Sequence, residues 1–525
     1  MSAQELEPPQ TVLVNLINLY NQGQFAEAAN DAAHLIDKFP QSALLYNIHG
    51  ASNAGLGRLD FAIKSYKKAK NLKPHYAEVY YNMGMALKKK GDLEAAIDSL
   101  QKAIKIRPDF ADAYKNMGIV FADKGDLDAA IESYKRAIKV NPYYADVYRN
   151  MGVVYKYKGD LTSSINCYEQ AIKLNSNCSK VHINMGNLLR DGGQIEMAKK
   201  SYEQAIQIKK DCPEAHYNKS ITYLLNGEFD LGFELYEYRS KIEQKVVRPA
   251  RAEFSWNGEK DLKGKNFLVY EEQGIGDIIQ FCRYLPLLED LGANVSFKVA
   301  KKLHPLLKTL GDNINLIHQT PNDNVINFEA PLLSLPHLFK TNKNNIPAKT
   351  EYLQSDPALF ERWKLRFTDG KFNIGICWQG SNTKIDIGRS FPLALFEDMA
   401  RNPRVRLISL HKGSGELQIE QIGFGITTLG PGFDTSADAF ADTAAVMMNC
   451  DLIITSDTAI AHLAGALGCK TWIALKFIPD WRWLLGTSVS LWYPTATLYR
   501  QESLNDWKDV FTRMGRDLRG MIEHN

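Results

Sequence analysis

Up to about residue 240, apolar positions recur at three- and four-residue intervals. Polar turns break the pattern at regular distances. That spacing predicts short amphipathic helices, each with one buried stripe. Setting the chain against itself gives a period of 34: "AEVYYNMGMALKKKGDLEAAIDSLQKAIKIRPDF" (77–110) aligns with "ADAYKNMGIVFADKGDLDAAIESYKRAIKVNPYY" (111–144). Further units begin near residues 9, 43, 145 and 179, with a shortened one at 213. Position eight holds Gly50, Gly84, Gly118, Gly152 and Gly186, and position twenty holds Ala28, Ala62, Ala96, Ala130 and Ala198, so two helices can touch closely there. Pro40, Pro74, Pro108 and Pro142 stop the second helix of their units, because proline cannot continue one.

This pattern resembles the tetratricopeptide repeat over residues 9–240. The resemblance implies an all-α solenoid of six to seven repeats with a concave groove. Asn82, Asn116, Asn150, Asn184 and Asn218 all occupy position six. Asparagine is a middling helix former, so propensity does not explain their recurrence. Each amide offers two donors and an acceptor, and a ladder of them could grip an extended peptide backbone. The ladder is similar to that of the O-linked N-acetylglucosamine transferases, where position six faces inward. The alternative is a surface position inherited by duplication.

The pattern changes after Arg239. Residues 241–264 form a charged, aperiodic bridge, expected to be a linker after the repeats, with residues 1–8 as a tail before them. From residue 265 short apolar runs alternate with helical patterns. "NFLVY", "ANVSFKVA" and "INLIHQT" read as strands of one lobe (265–365). "FNIGIC", "VRLIS", "DLIIT" and "KTWIAL" read as strands of a second (366–525), which closes on an amphipathic helix near 503–521. The expected fold class is therefore an all-α repeat solenoid followed by two α/β Rossmann-like lobes facing across a cleft.

The polar clusters fall where such strands end. "GIGD" follows the first strand: Gly274 and Gly276 would allow positive φ and close approach of the backbone to a ligand, although the third glycine of a dinucleotide fingerprint is missing. Asp277 is either an N-cap or a general base. Arg283 either flanks the cleft or snorkels to solvent, the latter being favoured. In "SDTAIAHLAGALG", Ser456, Asp457 and Thr458 lead into a helix that Gly468 ends, and His462 shares a face with Thr458. The free N–H groups of that helix would hold a diphosphate. Arg389 and Ser390 precede another helix, and His411 and Lys412 end a strand. Arg389, His411 and Lys412, three cationic or potentially cationic groups at strand and helix ends, suit a pyrophosphate leaving group. Trp481 and Trp483 either wall the cleft or pack the lobe interface.

The paired motifs "GIGD" and "SDTAIAHLAG" resemble those of the ADP-heptose:lipopolysaccharide heptosyltransferase family, whose lobes have the GT-B glycosyltransferase fold. The resemblance implies that Asp277 is the base and that the Asp457–Thr458–His462 helix binds the donor diphosphate and sugar. The family's lysine-tryptophan-proline segment is replaced here by "RSFP", with Arg389 in the basic position. The implied activity is an inverting, metal-independent hexosyl or heptosyl transfer from a nucleoside-diphosphate sugar. The repeats would recruit a polypeptide acceptor or partner. The competing class is a non-catalytic scaffold with a degenerate GT-B module.

Composition narrows the rest. The chain's 525 residues exceed a single core. With 63 basic and 60 acidic residues the net charge is +3, which gives no pull toward nucleic acid or an anionic membrane. The lone Asp-x-Asp, Asp126–Asp128, falls in a repeat turn, so no metal or other cofactor is expected at the lobes. "MSAQELEPPQ" lacks a signal peptide's charged and apolar regions, and no apolar run is long enough to span a bilayer. The seven scattered cysteines suggest reduced thiols, and the expected location is the cytoplasm.

Overall fold

A computed structural model of the chain describes residues 7–242, 250–258, 261–380, 388–435 and 440–523. The chain divides into two compact units. One comprises residues 1–192 with 207–210, and the other 193–206 with 211–525.

The first unit is made of helix hairpins, from Gln10–Asn21 with Phe25–Lys38 through Ala145–Tyr157 with Leu161–Leu174, and ends on Ser179–Asp191. Position-eight glycines are required by contact: a Cβ on Gly118 would lie 2.5 Å from Tyr134, and one on Gly152 would lie 2.6 Å from Tyr168. The alanines opposite, Ala62, Ala96 and Ala130, are fully buried. Each "GD" turn works as a stop and a start. Gly91 and Gly125 take left-handed φ, and Asp92 and Asp126 accept the N–H of Ala95 and Ala129 at 3.2 and 3.0 Å. Asp126 of the Asp-x-Asp is thus a helix cap.

The second unit carries two all-parallel sheets. Strands β1 (Asn266–Tyr270), β2 (Asn294–Lys298), β3 (Asn315–Ile317) and β4 (Phe328–Pro331) form the first, in the order β3-β2-β1-β4. Strands β5 (Phe372–Cys377), β6 (Val405–Ser409), β7 (Leu452–Ser456), β8 (Thr471–Leu475) and β9 (Ala496–Arg500) form the second, in the order β6-β5-β7-β8-β9. Chain direction across each sheet reverses beside its first strand, at β1/β4 and at β5/β7, which is where doubly wound sheets bind ligands. One continuous apolar core links both sheets, and a second lies under the C-terminal helix Trp507–Glu523.

Several expectations need correction. The last repeat belongs to the sheet-bearing unit, not to the solenoid. Its aromatic residues pack there: Phe233 lies edge-on to Trp481 at 5.7 Å, and Phe229 lies 6.0 Å from Trp492. The bridge 241–264 is not free where it is described. Trp256 is buried between Phe267 and Phe339, and Arg251 pairs with the fully buried Glu329 of β4. Residues 1–6 of the expected tail, and 243–249 and 259–260 of the bridge, lie outside the described residues. The boundary at 365 is late: helix Pro357–Lys364 serves the second sheet, because Trp363 Nε1 donates to Asp442 at 2.7 Å and its ring packs on Phe433. The helix after β1 breaks at Cys282 and resumes as Leu285–Asp290.

Candidate functional site

The loops at the carboxyl ends of both sheets enclose a cavity of about 1210 Å³. Gln273–Asp277 enter it after β1, Gln379 after β5, His411 and Lys412 after β6, Asp457 after β7, and Asp480–Arg482 after β8. Tyr217, Ile221 and Tyr236 of the last repeat complete the wall. Of the sequence-derived site residues, Gly274, Gly276, Asp277, Arg389, His411, Lys412, Asp457, Thr458 and His462 all line this one cavity. Ser390 and Ser456 do not. The Ser390 hydroxyl accepts the Gly380 N–H at 3.1 Å, and Ser456 is fully buried at the end of β7.

The turn after β1 differs from its expected geometry. Gly274 has φ −88°, and Gly276 is not left-handed either; the left-handed residue is Gln273, φ 57°. Gly276 serves helix packing instead: a Cβ there would sit 2.9 Å from His462 Cδ2 and 3.5 Å from Ala459 Cα. Asp277 is the third residue of helix Ile275–Phe281 rather than its N-cap. Its Oδ2 accepts the Gly274 N–H at 3.0 Å, and its Oδ1 accepts from Arg482 Nη2. His462 cannot yield, being stacked on Trp483 at 5.4 Å and bonded through Nδ1 to the Tyr493 hydroxyl at 2.9 Å. Gly276→Ala should therefore destabilise the unit by about 1–3 kcal/mol, read as a lower urea midpoint.

Helix Ala459–Ala466 starts at the cavity. Thr458 is its N-cap residue, but no side chain caps it, and the Thr458 hydroxyl instead lies 3.3 Å from that of Thr455. Thr458, Ala459 and Ile460 all face the cavity, so the positive end of the helix opens onto it.

Burial resets the charges. Desolvation, aided by the Arg482 charge, lowers the His462 pKa to about 3, and burial lowers that of His411. Both imidazoles are neutral near pH 7, so His411 does not supply the positive charge expected of it. Lys412 Nζ is turned to the carbonyls of Phe433 and Asp434. Burial, then the charge of Asp480, pushes Asp457 up to about 6. For Asp480, burial is outweighed by the charge and hydrogen bonds of Arg482, which hold its carboxyl below its usual range. The His462 and Asp457 shifts act oppositely on stability. A histidine with a lowered folded pKa loses stability as pH falls below about 6.5, whereas a carboxyl with a raised one gains it as pH falls from about 6 to 4. His462→Gln should thus gain on the wild type by up to about 1.4 kcal/mol per pH unit between pH 6.5 and 4.5, measured by urea unfolding at both pH values.

Arg283 does not snorkel. It is buried, donating to Trp492 O at 2.7 Å and to the Tyr352 hydroxyl at 2.8 Å. Trp481 both packs and lines the cavity, while Trp483 is fully buried and outside its lining. Arg482 and Asp480 were missed by the sequence reading. Their signal was a lone charge pair inside the aromatic run "DWRW" after a strand.

The asparagine series is partly spent within the fold. Asn82 Nδ2 donates to Asn47 Oδ1 at 3.0 Å. The buried Asn116 donates to the Tyr81 hydroxyl at 2.8 Å and to Asp112 O at 3.0 Å. These amides tie neighbouring repeats together, which a purely ligand-facing ladder would not do. Asn150, Asn184 and Asn218 are half-buried.

Residues 55–91, 84–125, 120–159 and 186–227 match the family described as TPR repeat, and residues 145–178 match Tetratricopeptide repeat. The N-terminal region is built of tetratricopeptide repeats. Protein FlbA of Caulobacter vibrioides is 29% identical over 292 residues, covering 50% of this chain and 48% of FlbA, so the match spans about half of that relative. The crystal structure of MamA is 28% identical, covering 31% of this chain and 94% of MamA, with a TM-score of 0.29. YrrB, described as a TPR protein with an unusual peptide-binding site, is 20% identical, covering 36% of this chain and 98% of YrrB, with a TM-score of 0.31. Among the described residues no helix is long and apolar enough to cross a membrane.

Proposed function

We propose that the second unit is a GT-B glycosyltransferase that uses a nucleoside-diphosphate sugar, and that the tetratricopeptide repeats bring it a polypeptide acceptor. One observation carries this reading: the uncapped start of helix Ala459–Ala466 and the Asp277 carboxylate open onto the same cavity, at the switch points of both sheets. The helix terminus and Arg389 stabilise the diphosphate, where negative charge grows as it leaves. Asp277 takes the proton of an acceptor hydroxyl or amide as the acceptor atom bonds the anomeric carbon from the opposite side. The bond from that carbon to the phosphate oxygen breaks, and the nucleoside diphosphate departs. His462, neutral, contributes packing and hydrogen bonding rather than charge. The last repeat supports a polypeptide acceptor, because Tyr217, Ile221 and Tyr236 wall the cavity.

The test is a panel of nucleoside diphosphates and their sugars, first by thermal shift and then by donor hydrolysis, with and without EDTA. A bound nucleotide at 100 times its Kd stabilises the protein by about 2.7 kcal/mol. Turnover that persists in EDTA is the expected result. No shift with any member would leave the scaffold reading, in which the cavity is idle.

A further inference from the structure

Arg482 is buried, yet its guanidinium reaches across the cavity floor. Nη2 bonds Asp277 Oδ1, Nε bonds Gln280 Oε1 at 2.6 Å, and Nη1 bonds Asp480 Oδ1 at 2.7 Å. Two of these acceptors lie on helix Ile275–Phe281 beside the first sheet, and the third lies on Arg482's own turn after β8. The plane is fixed from behind, its centre 4.5 Å from the Trp481 ring and 5.7 Å from that of Phe281. Asp480 fixes the turn itself by accepting the Arg482 backbone N–H at 3.1 Å. Asp277 is thus held at both oxygens, by Gly274 and by Arg482.

We propose that Arg482 is the positioning residue for Asp277: its planar fork locks the helix after β1 to the turn after β8 and holds the carboxylate facing the cavity. This rests on the reading of Asp277 as the base. The titratable groups around it include the Tyr236 phenol from the last repeat, His462 on the helix packed against Gly276, Asp480 beside Arg482, and Asp457 in the same cavity, which also feels the Arg482 charge. The first two are neutral at pH 7 and the third is an anion, so Arg482 supplies the opposing charge. Lysine would keep that charge but lose the fork.

The test uses Arg482→Gln and Arg482→Lys in the full chain. The first readout needs no substrate: the carboxyl titration of ¹³C-aspartate-labelled protein, with Asp277→Asn assigning the resonance. Arg482→Gln should move the Asp277 titration up by about 1–3 pH units, and Arg482→Lys should leave it near wild type. The second readout is donor turnover. Both variants should lose about 10- to 100-fold in kcat while the Kd for nucleoside diphosphate holds, with the acid limb of kcat/KM shifted upward in Arg482→Gln alone. An unmoved Asp277 titration in Arg482→Gln, or wild-type kcat in Arg482→Lys, overturns the proposal. Should Arg482→Gln fail to fold, the kcat of Arg482→Lys decides. If wild type turns over no donor, the transferase reading falls, while the titration still tests the clamp.

Discussion

Asp277→Asn should lower the proposed sugar transfer by about 10²- to 10⁴-fold and leave in place the thermal shift expected from nucleoside diphosphate. The carboxylate is the proton acceptor of the proposed step, and an amide cannot take its place. The substitution is otherwise mild, since the Asn carbonyl can still accept from Arg482. The amide N–H₂ would face the Gly274 N–H that Oδ2 accepts at 3.0 Å, at a cost of about 1 kcal/mol to the first turn of helix Ile275–Phe281. That cost is visible in urea unfolding and is separable from the rate. Donor binding is untouched on this reading, because the proposed diphosphate site is the start of the other helix, Ala459–Ala466. Wild-type turnover in Asp277→Asn would strip the residue of its role as base and leave it a partner in a helical turn. Loss of nucleotide binding together with turnover would instead show that Asp277 contributes to the donor site itself.

What the sequence revealed follows from the range of each interaction. Repeat helices were legible because their determinants are local: a 34-residue period, glycine beneath a ring sixteen positions on, and an aspartate capping its own turn. Buried parallel strands were legible as apolar runs, whereas β4, ending on Pro331, and β9, with an exposed Thr497, were not. The cavity's polar residues were legible because strand ends in such sheets are where ligands bind. Their charge states were not. Neutral His411 and His462 depend on burial by segments distant in the chain, as does Arg283, whose carbonyl partner Trp492 lies 209 residues away. Arg482 escaped notice for the same reason: nothing near "DWRW" announces a carboxylate 205 residues earlier. Gly274 and Gly276 were misread because a glycine pair suggests a left-handed turn, when here Gln273 takes that conformation and Gly276 makes room for His462.

Arg239→Ala destabilises the sheet-bearing unit by about 3–5 kcal/mol, the cost of orphaning a buried ion pair. Arg239 is 1% exposed and closes the last repeat. It bonds Glu272 through Nη2 at 2.8 Å and Nε at 3.3 Å, and also Ser334 Oγ at 2.7 Å and Glu237 at 2.7 Å. Glu272 lies in the turn after β1, one residue before Gln273, and accepts the Leu333 N–H after β4 at 3.1 Å. A single guanidinium therefore joins the last repeat to both strands at the switch point of the first sheet. Even with Arg239 present, burial holds the Glu272 carboxyl above its usual pKa. Without Arg239 that shift grows, and the variant's deficit should shrink as pH falls toward about 4.3, where protonation removes the buried charge. Replacing both partners by apolar residues, Arg239→Met with Glu272→Leu, should recover much of the loss, because no charge is then left unpaired. Urea unfolding of the two single variants and the double, at pH 7 and pH 5, measures all three terms. Equal deficits at both pH values would place the cost in lost packing rather than in the stranded carboxylate.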